Sequence, residues 1–62
     1  MINQYDKVKL NNGRIAVIVE VLEQKKAYIA DIEISKGDYE TETVLHSDIA
    51  SVFVEVEQPV AG

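Results

Sequence analysis

The sequence predicts an all-β domain built from short antiparallel strands. Five runs of apolar and β-branched residues follow one another, and several alternate apolar with polar residues as half-buried strands do. Short polar segments containing Asn, Gly, Ser or Asp separate the runs, which is typical of tight turns. No stretch shows the apolar spacing of a long helix, and 62 residues is the length of one domain.

The first hairpin has the clearest strand pattern. Residues 6–10 alternate, so that Val8 and Leu10 point inward and the lysines beside them point outward. Asn12 and Gly13 follow directly, and both residue types tolerate the positive φ that tight hairpin turns need. The sequence therefore predicts that the first two strands form a hairpin.

The second run, residues 14–22, is apolar on both faces. Ala16 and Ile18 share one face, whereas the valines of the run share the other. A long strand of this kind usually bends at a bulge, which changes the face that meets the core. We place this bend near Val19 and Glu20.

The third and fourth runs predict an inner strand and an edge strand. The third, residues 27–34, places four apolar side chains on one face: Tyr28, Ala30, Ile32 and Ile34. A turn with Gly37 follows. The fourth run, residues 39–45, is the most polar of the five, which is typical of an edge strand with a solvated face.

A short helical turn and a fifth strand complete the pattern. Residues 46–50 interrupt the strand pattern, and Ser47 or Asp48 can cap a single 3-10 turn by accepting a backbone N–H. The fifth run, residues 51–57, alternates two sets of side chains. We expect Val52, Val54 and Val56 to point inward and Phe53, Glu55 and Glu57 to point outward.

These elements together predict a small five-stranded SH3-like barrel over residues 1–57, with one 3-10 turn before the last strand. An OB-fold is the alternative, but it usually has a longer helix between its third and fourth strands, where this chain has only turn residues. Tyr5 and Tyr28 are expected to pack in the barrel with exposed hydroxyls. Residues 58–62 are expected to form a flexible C-terminal tail.

Composition argues against several kinds of active site. The chain has no cysteine and a single histidine, so we expect no disulfide, no metal and no cofactor. His46, Ser47 and Asp48 are the residue types of a hydrolase triad, but adjacent positions cannot form its hydrogen-bonded relay. We therefore expect no enzymatic activity. The polar start and the lack of a long apolar segment predict a cytoplasmic protein.

Charge and aromatic residues indicate a binding surface. Eleven acidic residues face six basic ones, for a net charge of −5. Most of the carboxylates follow the second turn, so an acidic face for a basic protein partner is expected there. Aromatic side chains often anchor such interfaces. The predicted surface consists of Phe53, Tyr39, Glu40, Glu42 and Glu55; self-association into a homodimer is a further prediction.

The basic residues of the first hairpin support a different hypothesis. Lys7, Lys9 and Arg14 lie close together in the sequence and form its main basic cluster. Clustered lysine and arginine neutralise phosphates, so this patch predicts nucleic-acid or ribonucleoprotein binding as the alternative function. The acidic balance of the whole chain argues against it.

Two stretches of the chain resemble known families. The residues from Val8 to Ile18 resemble the opening of KOW-type SH3-like domains, with Ala16 where that pattern commonly has a second glycine. KOW domains often bind RNA or ribosomal and transcription proteins. The same hairpin, together with the segments around Tyr28 and around Asp48, resembles a small uncharacterised bacterial SH3-like family, a domain of unknown function. That resemblance implies an SH3-like fold and no activity. Some genes of this type look like partners of toxins or nucleases, and this similarity implies an antitoxin or immunity protein.

Overall fold

A computed structural model describes residues 1–53 of the chain, and these residues form a single antiparallel sheet. The strand order across the sheet is β4-β3-β2-β1-β5. A 3-10 turn, His46–Asp48, precedes the last strand. The strands are β1 (Lys7–Leu10), β2 (Ile15–Glu23), β3 (Ala27–Ser35), β4 (Asp38–Leu45) and β5 (Ile49–Val52). The predicted all-β class and 3-10 turn are confirmed.

The first hairpin forms where the sequence predicts it. The Gly13 N–H donates to the Leu10 carbonyl at 2.9 Å, and the Leu10 N–H donates to the Arg14 carbonyl at 2.8 Å. Gly13 has a φ of +86°. This backbone conformation is strained for any residue that has a Cβ atom, and glycine has none. The side chain of Asn12 supports the turn by accepting the Arg14 N–H at 2.9 Å.

The predicted bend in β2 is confirmed as a bulge at Val19. The register against β3 shifts between Ile18 and Glu20, so two residues of β2 face one residue of β3. Ala16 and Ile18 are buried before the bulge, and Val21 packs against the core after it. The bulge thus lets a strand that is apolar on both faces supply the core along its length.

The core lies on one face of the curved sheet. Its buried members are Ile2, Val8, Leu10, Ala16, Ile18, Tyr28, Ala30, Ile32 and Val44. Ile34, the last of the four apolar residues predicted to share one face of β3, is 42% exposed near the end of the strand. The predicted packing of Tyr5 is wrong, because Tyr5 is 73% exposed in the turn before β1. Tyr28 is fully buried, and its hydroxyl is hydrogen-bonded rather than exposed.

The sheet does not close into a barrel within residues 1–53. β4 pairs only with β3, and β5 pairs only with β1, so the sheet has two open edges. β4 is the predicted polar edge strand, and Val44 is its one buried residue. β5 has four residues and starts two positions earlier than predicted. Val52 lies opposite buried Val8, on the core face as expected, although its side chain is still 38% exposed.

The 3-10 turn is tied to the first hairpin. The Asn11 N–H donates to the Asp48 carbonyl at 2.8 Å, and the Asn11 side-chain amide donates to the Ser47 carbonyl at 2.7 Å. Asp48 caps the turn, as predicted, by accepting the Leu45 N–H at 3.1 Å. These bonds hold the end of β4 beside the β1–β2 hairpin.

Three expectations concern residues 54–62 and lie outside the described residues. They are the inward Val54 and Val56, the outward Glu55 and Glu57, and the tail. Within the described part of the chain, no helix is long and apolar enough to cross a membrane.

Candidate functional site

An acidic cleft lies between β4 and the β1–β2 hairpin, where the sheet is not closed. It has a volume of about 310 Å³. The cleft includes three buried core side chains, Leu10, Ile32 and Val44, together with Thr43. These three side chains are only 3–8% exposed, so they form the floor of the cleft rather than its open surface. The cleft therefore gives a ligand access to the margin of the apolar core.

Two carboxylates and two amides line the acidic cleft. Glu42 lies opposite buried Ala30 in the β3–β4 ladder, so its side chain is on the core face of the sheet. Asp48 holds the Leu45 N–H with one oxygen, Oδ2. Asn11 and Asn12 complete the lining, and both of their side chains bond backbone groups. The groups left to receive a ligand are thus mainly carboxylate oxygens.

The predicted acidic and aromatic surface is divided between the two faces of β4. Glu40 lies opposite buried Ile32 and shares the core face with Glu42, whereas Tyr39 lies opposite Glu33 on the other face, which we call the outer face. Tyr39 is 55% exposed. Its hydroxyl donates to Glu33 Oε2 at 3.3 Å. The negative charge of Glu33 and this hydrogen bond raise the pKa of Tyr39 above its ordinary value of 10.0.

Phe53 lies at the opposite edge of the sheet from Tyr39. Its N–H donates to the Lys7 carbonyl at 2.8 Å, and Lys7 Nζ lies 5.7 Å from the centre of its ring. Exposed Tyr5 and half-buried Asp6 line a small cleft beside the same two residues. The structure therefore combines Phe53 with basic Lys7 rather than with the carboxylates of β4. Glu55, the remaining member of the predicted surface, lies outside the described residues.

The basic cluster of the sequence is also divided. Lys7 and Lys9 are exposed side by side on the outer face of β1. The Arg14 guanidinium donates instead to two backbone carbonyls at the end of β3, Glu33 at 3.3 Å and Ile34 at 2.9 Å. Arg14 therefore joins the start of β2 to the end of β3, which occupies part of its hydrogen-bonding capacity.

His46 is part of a hydrogen-bonded connection between two turns. The Tyr28 hydroxyl lies 2.8 Å from His46 Nδ1, and it accepts the Lys25 N–H at 3.1 Å. Among residues 1–53, no group of three or more His, Cys, Asp and Glu side chains is close enough to hold a metal ion. His46, Ser47 and Asp48 form the 3-10 turn, with Asp48 bonded to Leu45 rather than to His46.

The sequence did not reveal the acidic cleft. Its lining comes from the end of β1, the first turn, β3, β4 and the 3-10 turn, several of which are far apart in the chain. The polar fourth run, followed by Asp48, was the one sequence feature that related to the cleft. It indicates an edge strand, but it does not indicate which residues lie beside that strand. No family model, curated protein or solved structure matches this chain.

Proposed function

We propose that this protein is a non-catalytic interaction module that binds a basic, extended segment of a partner protein at its β4 edge. The acidic cleft is the observation that carries this proposal. It combines an apolar floor with the Glu42 and Asp48 carboxylates. This arrangement is suited to a lysine or arginine side chain, which has an apolar stem and a cationic end.

The size of the acidic cleft supports a single side chain as its occupant. Ligand pockets usually have volumes of about 300 to 1,000 Å³, and 310 Å³ is at the lower limit of that range. The stem of a lysine or arginine would contact Leu10 and Ile32, while its charged end would reach Glu42. Charge-assisted hydrogen bonds of this kind are stronger than neutral ones.

The open edge of β4 supports an extended partner segment. Within residues 1–53, β4 is paired on one side only, and an unpaired strand edge offers backbone groups to an added strand. A strand added there would run past Glu40 and Glu42, whose side chains share the core face. Alternate residues of the added strand would meet these carboxylates, so alternating basic residues would be favoured.

The partner class that fits this chemistry is a basic protein, such as a toxin or nuclease whose phosphate-binding surface is rich in lysine and arginine. Carboxylates on β4 would take the place of the phosphates. The net charge of −5 would accelerate association with a positively charged surface. In that setting the protein would act as an antitoxin or immunity protein.

Isothermal titration calorimetry with synthetic peptides tests the proposal. The probe is a peptide of alternating lysine and threonine, and the control peptide replaces lysine with glutamate. We expect binding of the lysine peptide only, and we expect Glu42→Gln to weaken it by about 1 kcal/mol, roughly fivefold. Glu20→Gln is the matched control variant, because Glu20 is exposed at the β2 bulge and does not line the cleft.

The control separates local recognition from net charge. Both variants remove one negative charge, so equal losses of affinity would show that only the overall charge matters and would contradict a site at the cleft. Failure of the lysine peptide to bind at low ionic strength would also contradict the proposal.

A second candidate function is single-stranded nucleic-acid binding by the β1–β5 edge. The supporting observation is that the exposed rings of Phe53 and Tyr5 lie close to Lys7, with Lys9 on the same face. Single-strand binding proteins combine stacking aromatics with lysines that follow the backbone. Fluorescence anisotropy with labelled single-stranded RNA tests this candidate. We expect Lys7→Glu/Lys9→Glu to abolish binding, and absence of RNA binding to the parent protein at low salt would exclude it.

A further inference from the structure

The outer face of the sheet carries two aligned rows of side chains. The first row consists of Lys7, Val17 and Asp31, which the β1–β2 and β2–β3 pairings place side by side. The second row lies two residues away along each strand and consists of Lys9, Ile15 and Glu33. Lys9 pairs with Ile15. The β2–β3 pairing ends at Ala16 and Ile32, and continuing its register by one residue places Glu33 opposite Ile15. Each row therefore runs from a cation through an aliphatic residue to a carboxylate.

These charges are separated within the protein. The lysines of β1 and the carboxylates of β3 are two strands apart, about 10 Å at the usual strand spacing. The only ion pair within residues 1–53 joins Lys26 and Glu23, at 3.5 Å, in the β2–β3 turn. Asp31 and Glu33 instead accept hydrogen bonds from Thr41 and Tyr39 of β4, which fix their positions.

A two-fold rotation makes this pattern complementary to itself. Two copies can stack with their outer faces in contact. The two-fold axis then lies between the two sheets, directly over β2 and parallel to it. The rotation places β2 of each copy over the other β2, and β1 of each copy over β3 of the other. A rotation about this axis does not move a residue along the strand direction. Each row of one copy therefore meets the same row of the second copy. Lys7 then faces Asp31 of the second copy, and Lys9 faces Glu33.

We infer that the outer face of the sheet is a homodimer interface with this two-fold arrangement. The centre of the interface is aliphatic, because the half-buried Ile15 and Val17 meet their counterparts on the axis. Four lysine–carboxylate pairs surround this centre, two from each row. Stacked sheets pack about 10 Å apart with nearly aligned strands, a spacing that lysine side chains can bridge together with a carboxylate.

The charge pattern favours a second copy over a different partner. A basic partner would be attracted by the carboxylates of β3 but repelled by the lysines of β1. An acidic partner would be attracted by the lysines but repelled by the carboxylates. A second copy presents the opposite sign at each position. Symmetric dimers bury the same patch on both subunits, which this face satisfies.

The dimer would be weak and would leave the acidic cleft accessible. β4 and β5 are four strand spacings apart, so the sheet is about 19 Å wide. A face of this width buries less area than a standard protein–protein interface. We therefore expect a dissociation constant in the micromolar range or above. Glu42 is on the core face, so dimerisation and peptide binding use opposite faces of the sheet. RNA binding through Lys7 and Lys9 would compete with dimerisation.

Analytical ultracentrifugation of the full chain at low ionic strength tests the inference. We expect a concentration-dependent monomer–dimer equilibrium. Lys9→Glu and Glu33→Lys should each weaken it about tenfold, because each places like charges opposite each other. The double variant Lys9→Glu/Glu33→Lys restores opposite charges and should return the dissociation constant to within about threefold of the parent value.

Lys36→Glu is the control, because Lys36 is exposed in the β3–β4 turn and changes the net charge as Lys9→Glu does. It should leave the dimer unchanged. A parent protein that stays monomeric at millimolar concentration would overturn the inference. So would a dimer that withstands Lys9→Glu, or one that the double variant fails to restore while circular dichroism shows the fold intact.

Discussion

The two edges of the sheet differ in length, polarity and charge. The β4 edge has eight residues, one of them buried, and carries Glu40 and Glu42 on its core face. The β1–β5 edge has two strands of four residues each and presents lysines and the Phe53 ring on its outer face. The comparison shows that a chain with a net charge of −5 still has a distinct basic region. Binding properties should therefore be assigned to each edge and face, not to the chain as a whole.

The largest expected effect concerns the core that both edges share. Ile18 is fully buried in β2, between the two halves of the sheet. Ile18→Ala should destabilise the protein by about 3 kcal/mol, because it removes buried methyl groups and leaves a cavity. Leu22→Ala, at a half-exposed position in the same strand, should cost less than about 1 kcal/mol. Urea denaturation measures both, and equal effects would contradict the placement of the core.

The next effect tests how the end of β4 is connected to the β2–β3 turn. Tyr28→Phe removes the hydroxyl that bonds both His46 and Lys25 while it preserves the buried ring. We expect a loss of about 2 kcal/mol in the free energy of unfolding, from two hydrogen bonds of roughly 1 kcal/mol each. Tyr5→Phe is the control because Tyr5 is exposed. A neutral Tyr28→Phe substitution would show that the hydroxyl does not contribute to stability.

A smaller effect compares the hairpins that lead to the two edges. Gly13 and Gly37 have φ values of +86° and +87°, and a Cβ at either position would meet no atom within 4 Å. Gly13→Ala and Gly37→Ala should therefore each cost about 1 kcal/mol through backbone strain alone. Asparagine, which tolerates positive φ, should cost less. A much smaller loss for Gly37→Ala in denaturant would indicate that the β4 edge opens separately from the rest of the sheet.

The smallest effect is a pH dependence confined to the β4 edge. The charge of Glu33 raises the pKa of Tyr39 in the folded protein, so the protonated phenol is favoured by folding. This contribution to stability is fully present below pH 10 and is lost as the pH rises through the raised pKa. Glu33→Gln should lower the pKa of Tyr39 towards its ordinary value, as measured by tyrosinate absorbance. A titration curve identical to that of the parent protein would contradict the pairing.

Much of the fold was predictable because its strands and turns depend on residue patterns that are local in the sequence. The Asn12-Gly13 turn, the doubly apolar β2 with its bend, and the polar β4 each depend on residues close together in the chain. The failures concern burial near strand ends and closure of the sheet. Ile34 follows the alternation of Ile32 but is 42% exposed near the end of β3. Strand alternation does not show whether the two edge strands of the sheet, here β4 and β5, will meet.

The candidate sites were harder to predict for the same reason. Glu40, Glu42 and Tyr39 are neighbours in the sequence, yet strand alternation places the tyrosine on the opposite face from the glutamates. Phe53 follows the acidic half of the chain, but β5 pairs with β1 and brings the ring to Lys7. Asp48 was predicted as a cap and as one of the late carboxylates of an acidic face, but its place in the acidic cleft depends on the distant Asn11.

The central claim is that a basic segment binds at the β4 edge and not at the β1–β5 edge. Nuclear magnetic resonance of isotope-labelled protein, titrated with the lysine–threonine peptide, tests it most directly, because each backbone amide reports its own surroundings. We predict that the largest shifts occur at Thr43, Val44 and Asp48, while those of Lys7 and Phe53 stay unchanged. Shifts centred on Lys7 and Phe53, or spread evenly over the sheet, would contradict the claim.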